Sequence, residues 1–295
     1  MQWQGVMPAI TTCFNEDLTI DHEFTARHVR WLIEAGCTGI VTPGSLGEGA
    51  TLTREEKIAL WKTCVGAVDA PVVAAISALS TAEAVDLAHA AQDAGCQGLM
   101  VLPPYVYQSD WREMKAHVAA IMRATPLSCM LYNNPIAYGT DFRPAHIYEL
   151  AQEHANLEAV KESSGDVRRF AAIREILGDK LTLFVGMDDA LVEGVGVGAK
   201  GWIAGLVNAL PRESVALFDY ARAGEHQKAF ALYRWFLPLL RLDTVPKFVQ
   251  LIKLVQQEVG MGHERTRPPR LEITGAERET TLALIREALA NQPVI

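Results

Sequence analysis

The sequence has no basic surplus: 27 lysines and arginines stand against 35 aspartates and glutamates, for a formal net charge of −8 and a pI near 5.5. That excludes the basic face on which nucleic-acid binding rests. No basic residue precedes Arg27, so neither a secretory nor a transit peptide is predicted. No apolar run approaches the roughly 18 residues of a membrane span. The five cysteines (Cys13, Cys37, Cys64, Cys96 and Cys129) form no Cys-x-x-Cys pair. A disulfide framework and a zinc site are therefore not expected, and the thiols read as small buried apolar groups in a reducing cytoplasm. No Gly-x-Gly-x-x-Gly follows the first predicted strand and no Gly-Lys-Ser/Thr occurs, which argues against dinucleotide and P-loop nucleotide binding. With no His-x-x-x-His and no carboxylate cluster, no metal and no cofactor are expected. His22, His28 and the other histidines read as surface residues.

What is present is ordinary in bulk, 49% hydrophobic and 21% charged over 295 residues, enough for a large buried core. The informative stretch is Leu157-Glu158-Ala159-Val160-Lys161-Glu162-Ser163-Ser164-Gly165-Asp166. Its apolar start predicts a buried strand, and its Ser-Ser-Gly-Asp a turn into a helix from Val167. The strand delivers Lys161 at its C-terminal end. A free lysine amine has a pKa near 10.4 and is protonated at neutral pH, so it becomes a nucleophile only when burial or a neighbouring charge lowers that value. At the mouth of a barrel such an amine forms a Schiff base with a carbonyl. The structural alternative is a lysine that snorkels to solvent or pairs with Glu162.

Strand-like runs fall at 6–12, 39–42, 72–75, 98–102, 128–132, 157–161, 181–185 and 201–204. Helical patterns separate them: one capped by Asp21 and running to about Ala35, then 53–67, 81–94, 109–124, 143–153, 167–176, 188–197 and 211–223. Eight strands alternating with eight helices predict an α/β fold, a (β/α)8 TIM barrel over 1–223 with its chemistry at the C-terminal ends of the strands. From 224 to 295 the alternation stops, and patterns at 225–240, 246–260 and 275–291 predict a C-terminal extension of three helices.

The predicted strand ends carry the remaining candidates. Gly44-Ser45-Leu46-Gly47 after the second strand can turn backbone N–H groups onto a carboxylate, with the Ser45 hydroxyl as a proton relay, or can be a plain glycine turn. Tyr105 follows the fourth strand and Tyr132 ends the fifth; a tyrosine facing a barrel mouth can shuttle protons or serve as an aromatic plug. Gly186 and Asp188 close the seventh strand, and Ile203 and Gly205 the eighth, as candidates for substrate binding. Helix capping is the competing role for the aspartates at 188 and 189.

Four motifs occur in order at predicted strand ends: Gly44-Ser45-Leu46-Gly47-Glu48, Tyr132-Asn133-Asn134-Pro135, Val160-Lys161-Glu162-Ser163-Ser164-Gly165-Asp166 and Gly201-Trp202-Ile203-Ala204-Gly205. With them the chain resembles the dihydrodipicolinate synthase / N-acetylneuraminate lyase family over nearly its whole length. The resemblance implies a class I aldolase-type barrel, a homotetramer, acting on pyruvate or another 2-oxo acid. It implies that Lys161 forms the imine, that Tyr132 moves protons, and that the backbone of Gly44 and Ser45 grips the carboxylate. It further implies that Tyr105 reaches into the neighbouring subunit to complete a relay with the loop hydroxyl.

Departures from the family pattern bear on the substrate. Dihydrodipicolinate synthases carry an arginine two residues after the Tyr-Asn-x-Pro proline, where this chain has Ile136-Ala137. Ser45-Leu46 stands where those synthases have two threonines. Sialate lyases have a hydroxylated side chain near Gly205 and a tyrosine near Met187, so a long polyhydroxylated substrate fits poorly. Tyr132 to Gly139, Lys161 to Ser164 and Leu242-Asp243-Thr244-Val245-Pro246-Lys247 look most like the branch with 1-pyrroline-4-hydroxy-2-carboxylate deaminases. The expected activity is therefore a Schiff-base lyase of that deaminase type. Its alternatives are a dihydrodipicolinate synthase, another pyruvate-dependent aldolase such as a 4-hydroxy-2-oxoglutarate aldolase, or a non-enzymatic 2-oxo-acid-binding barrel.

Overall fold

In the computed structural model, which describes residues 1–295, the predicted apolar runs become short parallel strands: β1 (Gly5–Pro8), β2 (Ile40–Thr42), β3 (Val72–Ile76) and β4 (Gly98–Val101). They continue as β5 (Ser128–Asn133), β6 (Leu157–Glu162), β7 (Thr182–Val185) and β8 (Gly201–Ala204). The sheet order is β1-β8-β7-β6-β5-β4-β3-β2. A parallel bridge between Ala9 and Val41 joins its ends, with Ile10 N–H donating to Val41 O at 3.0 Å and Thr38 N–H to Val6 O at 2.9 Å. The sheet is thus closed into a barrel. Strands buried on both faces, such as the wholly buried Val72-Val73-Ala74-Ala75-Ile76, read as continuous apolar runs for that reason.

The crossover helices are α1 (His22–Glu34), α2 (Arg54–Ala67), α3 (Thr81–Asp93) and α4 (Trp111–Ala124). After a short α5 (Pro135–Tyr138) come α6 (Pro144–Glu153), α7 (Arg168–Leu177), α8 (Leu191–Gly196) and α9 (Pro211–Ala223). Local chemistry starts them. The Asp21 carboxylate accepts from Phe24 N at 2.8 Å, and reciprocal capping boxes join Thr53 to Glu56 and Asp110 to Glu113. Each satisfies N–H groups that the first helical turn leaves free. The extension supplies α10 (His226–Leu240), α11 (Phe248–Glu258) and α12 (Gly275–Ala290). One apolar cluster of 74 residues takes in the strands together with Phe236, Ile252, Leu282 and Ile285 of these last helices.

Three details depart from the sequence reading. The first strand pairs regularly only over Gly5–Pro8 and then bends toward β2. The Asn-Pro step after β5 starts α5: Asn134 Oδ1 accepts from Ala137 N at 3.0 Å, Pro135 takes the first helical position, and Gly139 ends the turn at φ +67°. Proline is favoured there because the helix needs no N–H from that residue. Not all the histidines are surface residues: His28, His117 and His154 are buried, and the Nε2 of His28 lies 3.0 Å from Asn208 O, with burial pushing its pKa down to about 4.

Candidate active site

Register puts the two central residues together. In the parallel β5–β6 pair Tyr132 stands beside Lys161 and Asn133 beside Glu162. Because side chains alternate across a sheet, Lys161 and Tyr132 face the barrel mouth while Glu162 and Asn133 face outward. Glu162 is engaged there, accepting from Asn133 Nδ2 at 2.9 Å and Ser164 N at 2.6 Å, so it is not the partner of Lys161. Lys161 is buried at 6% exposure, and its Nζ lies 4.1 Å from the centroid of the Tyr132 ring. It does not snorkel. Burial lowers its pKa from 10.5 to about 8, against the opposing pull of Asp243 and Asp188. Gly186 makes this placement possible: a Cβ there would stand 2.8 Å from Lys161 Cε and also collide with Ser163 Oγ.

A cavity of about 440 Å³ opens above these residues. Among its lining are seven of the predicted site residues: Gly44, Ser45, Tyr132, Lys161, Gly186, Ile203 and Gly205. The backbone N–H groups of Gly44 and Ser45 donate to no other backbone group, which leaves them free for a carboxylate. The Tyr132 hydroxyl accepts from Asn134 Nδ2 at 2.9 Å, and burial pushes its pKa up to about 12. It is therefore a proton donor held in its neutral form.

The structure adds three residues that the sequence did not single out as site residues: Tyr138, Asp243 and Arg270 all line the cavity. Tyr138 hydrogen-bonds the Ser45 hydroxyl. Asp243, in the turn after α10, has a buried Oδ1 with no hydrogen-bond partner. Burial raises its pKa well above the ordinary carboxylate range while Lys161 draws it back. Gly205 leaves room for this carboxyl, since a Cβ there would be 2.7 Å from Asp243 Oδ2. Arg270 comes from the loop before α12 and also borders a larger open depression of about 840 Å³ on the extension. That depression lacks a buried amine, so the chemistry belongs to the smaller cavity.

Two of the expected site residues do not line this chain's cavity. Asp188 is buried behind the wall, accepting from Trp202 Nε1 at 2.9 Å, Gly205 N at 3.0 Å and Leu206 N at 2.8 Å. Its acceptors are used to pin the end of β8, and it reaches the site only through its charge. Tyr105 turns toward Ser77, its hydroxyl 3.2 Å from Ser77 Oγ, and is not part of the cavity lining.

The dihydrodipicolinate synthetase family profile matches residues 2–288. The chain belongs to that family. Among its relatives, a 4-hydroxy-tetrahydrodipicolinate synthase of Moorella thermoacetica is 32% identical over 97% of this chain and 99% of its own length. One of Methanopyrus kandleri is 31% identical over 98% and 96%. A solved dihydrodipicolinate synthase of Bacillus anthracis superposes with a TM-score of 0.92 at 30% identity, covering 97% and 98% of the two chains. An E. coli prophage protein of the dihydrodipicolinic acid synthase family, solved in complex with pyruvate, superposes at 0.91 with 26% identity over 98% and 99%. The fold is therefore the TIM barrel of this family, and the dihydrodipicolinate synthetase family member described here is a lyase of the class I aldolase type.

Proposed function

We propose that Lys161 is the Schiff-base residue and that its substrate is a small 2-oxo acid or the corresponding cyclic imine. The observation that carries this is the buried Lys161 amine, its pKa lowered by desolvation, in a cavity whose lining also includes Gly44 and Ser45 with their free N–H groups. With the carboxylate held there, the amine attacks the adjacent C2 carbon. Tyr132 protonates the departing oxygen, which leaves as water. The resulting iminium is an electron sink: loss of a C3 proton gives an enamine.

The condensing reading is supported by the relatives, which are synthases by name. Here the enamine of pyruvate adds to an aldehyde, Tyr132 protonates the new alkoxide, and water hydrolyses the imine. A second reading, the dehydrating deamination of 1-pyrroline-4-hydroxy-2-carboxylate, is favoured by two features of the site. Ala137 stands where the family's synthases carry an arginine, and Asp243 brings a partnerless carboxyl to the cavity. In that reaction Lys161 opens the ring, the enamine expels the 4-hydroxyl as water with a proton from Asp243, a proton shift from C5 turns the C5 amine into an imine, and hydrolysis of that imine and of the Lys161 imine yields ammonia and 2-oxoglutarate semialdehyde. The exposed tip Val106–Tyr107, at 81% and 55% exposure, fits assembly into a homotetramer, and the five free cysteines fit a cytoplasmic setting.

The test is borohydride trapping with pyruvate and, separately, with 1-pyrroline-4-hydroxy-2-carboxylate, followed by peptide mapping and product analysis. An adduct on Lys161 that is lost in Lys161→Ala is expected. Turnover to a condensed product, or to ammonia and semialdehyde, decides between the two readings. No adduct with these or with a panel of 2-oxo acids would overturn the assignment.

A further inference from the structure

The family resemblance assigns the relay partner of the loop hydroxyl to a tyrosine contributed by a neighbouring subunit, with Tyr105 in that role. Within one chain the structure gives each of these residues a partner. Tyr105 stays over its own barrel, bonded to Ser77. The tip that projects is Val106–Tyr107, 81% and 55% exposed, with Val106 at φ +88°; valine has no proton to transfer, and neither side chain lines the cavity of its own chain. The Ser45 hydroxyl is paired with Tyr138 of the same chain. The Tyr138 ring stands edge-on to the Tyr132 ring at 5.8 Å between centroids and tilted against Tyr105 at 5.8 Å. Asn134 sets this geometry from both sides, donating to the Tyr132 hydroxyl and capping the helical turn that ends in Tyr138. Tyr138 lines the cavity with Ser45, Tyr132 and Lys161, and Arg270 borders the same space.

We propose that Tyr138 is the second relay tyrosine of this active site, acting in cis through Ser45, so that each chain carries a complete proton path from Lys161 to solvent. The proposal rests on the Schiff-base reading of Lys161. Tyr132 gives its proton to the carbinolamine oxygen, which leaves as water. Ser45, which lines the same cavity, then reprotonates Tyr132, Tyr138 reprotonates Ser45 across their hydrogen bond, and solvent at the cavity mouth restores Tyr138. Imine hydrolysis runs the same path backward, so no proton is consumed over a cycle. Burial pushes the Tyr138 hydroxyl above the ordinary tyrosine range, which keeps it protonated while it waits.

The experiment compares Tyr138→Phe, which keeps the ring and its packing, with the unsubstituted enzyme and with Tyr105→Phe. A positioned acid–base group contributes on the order of 10²-fold or more to turnover. Tyr138→Phe is expected to lower kcat by about that factor, with KM changed less than about threefold, and to raise the solvent deuterium isotope effect because proton delivery becomes limiting. Borohydride with pyruvate still labels Lys161 in this variant, only more slowly. Co-expression of Lys161→Ala chains with Tyr138→Phe chains is expected to restore nothing, because each hybrid site lacks one group. Recovery in the mixture would show that Tyr138 acts across subunits and would overturn the proposal. So would a Tyr138→Phe enzyme with more than half the original kcat, or a larger loss in Tyr105→Phe. Failure of the unsubstituted enzyme to label at Lys161 would instead refute the Schiff-base reading.

Discussion

Replacing Lys253 with methionine removes one half of an ion pair that ties the extension to the Gly44–Glu48 loop. Glu48 ends that loop in a left-handed conformation, φ +55°. Its carboxylate accepts from Lys253 Nζ at 2.5 Å and from Arg267 N at 2.9 Å. The two side chains are 1% and 0% exposed. The ammonium also donates to Arg265 O at 2.6 Å and lies 4.5 Å from the centroid of the Phe14 ring. Methionine retains the apolar stem but leaves the Glu48 charge buried with one backbone donor. Removing a single partner of such a pair costs about 3–5 kcal/mol, and at about 2–4 °C per kcal/mol for a domain of around this size the Tm falls by roughly 6–20 °C. The double variant Glu48→Gln with Lys253→Met leaves no buried charge and is expected to recover most of that loss, because the desolvation penalty disappears along with the attraction. Thermal unfolding of the two variants measures this directly. Because Glu48 anchors the turn that presents Ser45, KM for the 2-oxo acid rises in Lys253→Met while borohydride still labels Lys161. A Tm shift under about 3 °C, or a double variant as unstable as the single one, would refute this account of the clamp.

Two further predictions concern the amine itself. With Lys161 as the proposed nucleophile, reacting in its neutral form, and burial lowering its pKa to about 8, the rate of imine formation is expected to rise about tenfold per pH unit below that value and to level off above it. Asp243→Asn removes a carboxyl whose ionised form favours the ammonium, so this limb moves to lower pH; a stopped-flow profile that stays put or moves upward would contradict the assigned pull. Gly186→Ala places a methyl against Lys161 Cε and Ser163 Oγ and is expected to reduce imine formation sharply while far-UV circular dichroism is unchanged. A fully active Gly186→Ala would mean that the lysine reaches the cavity by another path.

The residues that could be read from sequence are those whose role follows from position along the chain. An apolar run ending in Lys161 announces a strand-end amine, and because Tyr132 ends the preceding strand, parallel pairing alone brings it beside Lys161. Asp243 and Arg270 reach the same cavity only because the extension packs over the barrel mouth, and that packing depends on contacts far apart in sequence, such as Lys253 with Glu48. Tyr138 was closer to hand: Asn134-Pro135 followed by Gly139 is a cap, a first helical residue and a left-handed stop, and such a turn folds its last side chain back over the strand it follows. Asp188 illustrates the opposite case, in which the right segment carries a different task, and Gly205, though it lines the cavity, has a second one. Asp188 holds the end of β8 with buried hydrogen bonds, and Gly205 is small because the Asp243 carboxyl occupies the space its side chain would take. The glycine at a strand end thus marks where a partner from the extension enters, and a substitution there is felt first by Asp243 rather than by the substrate.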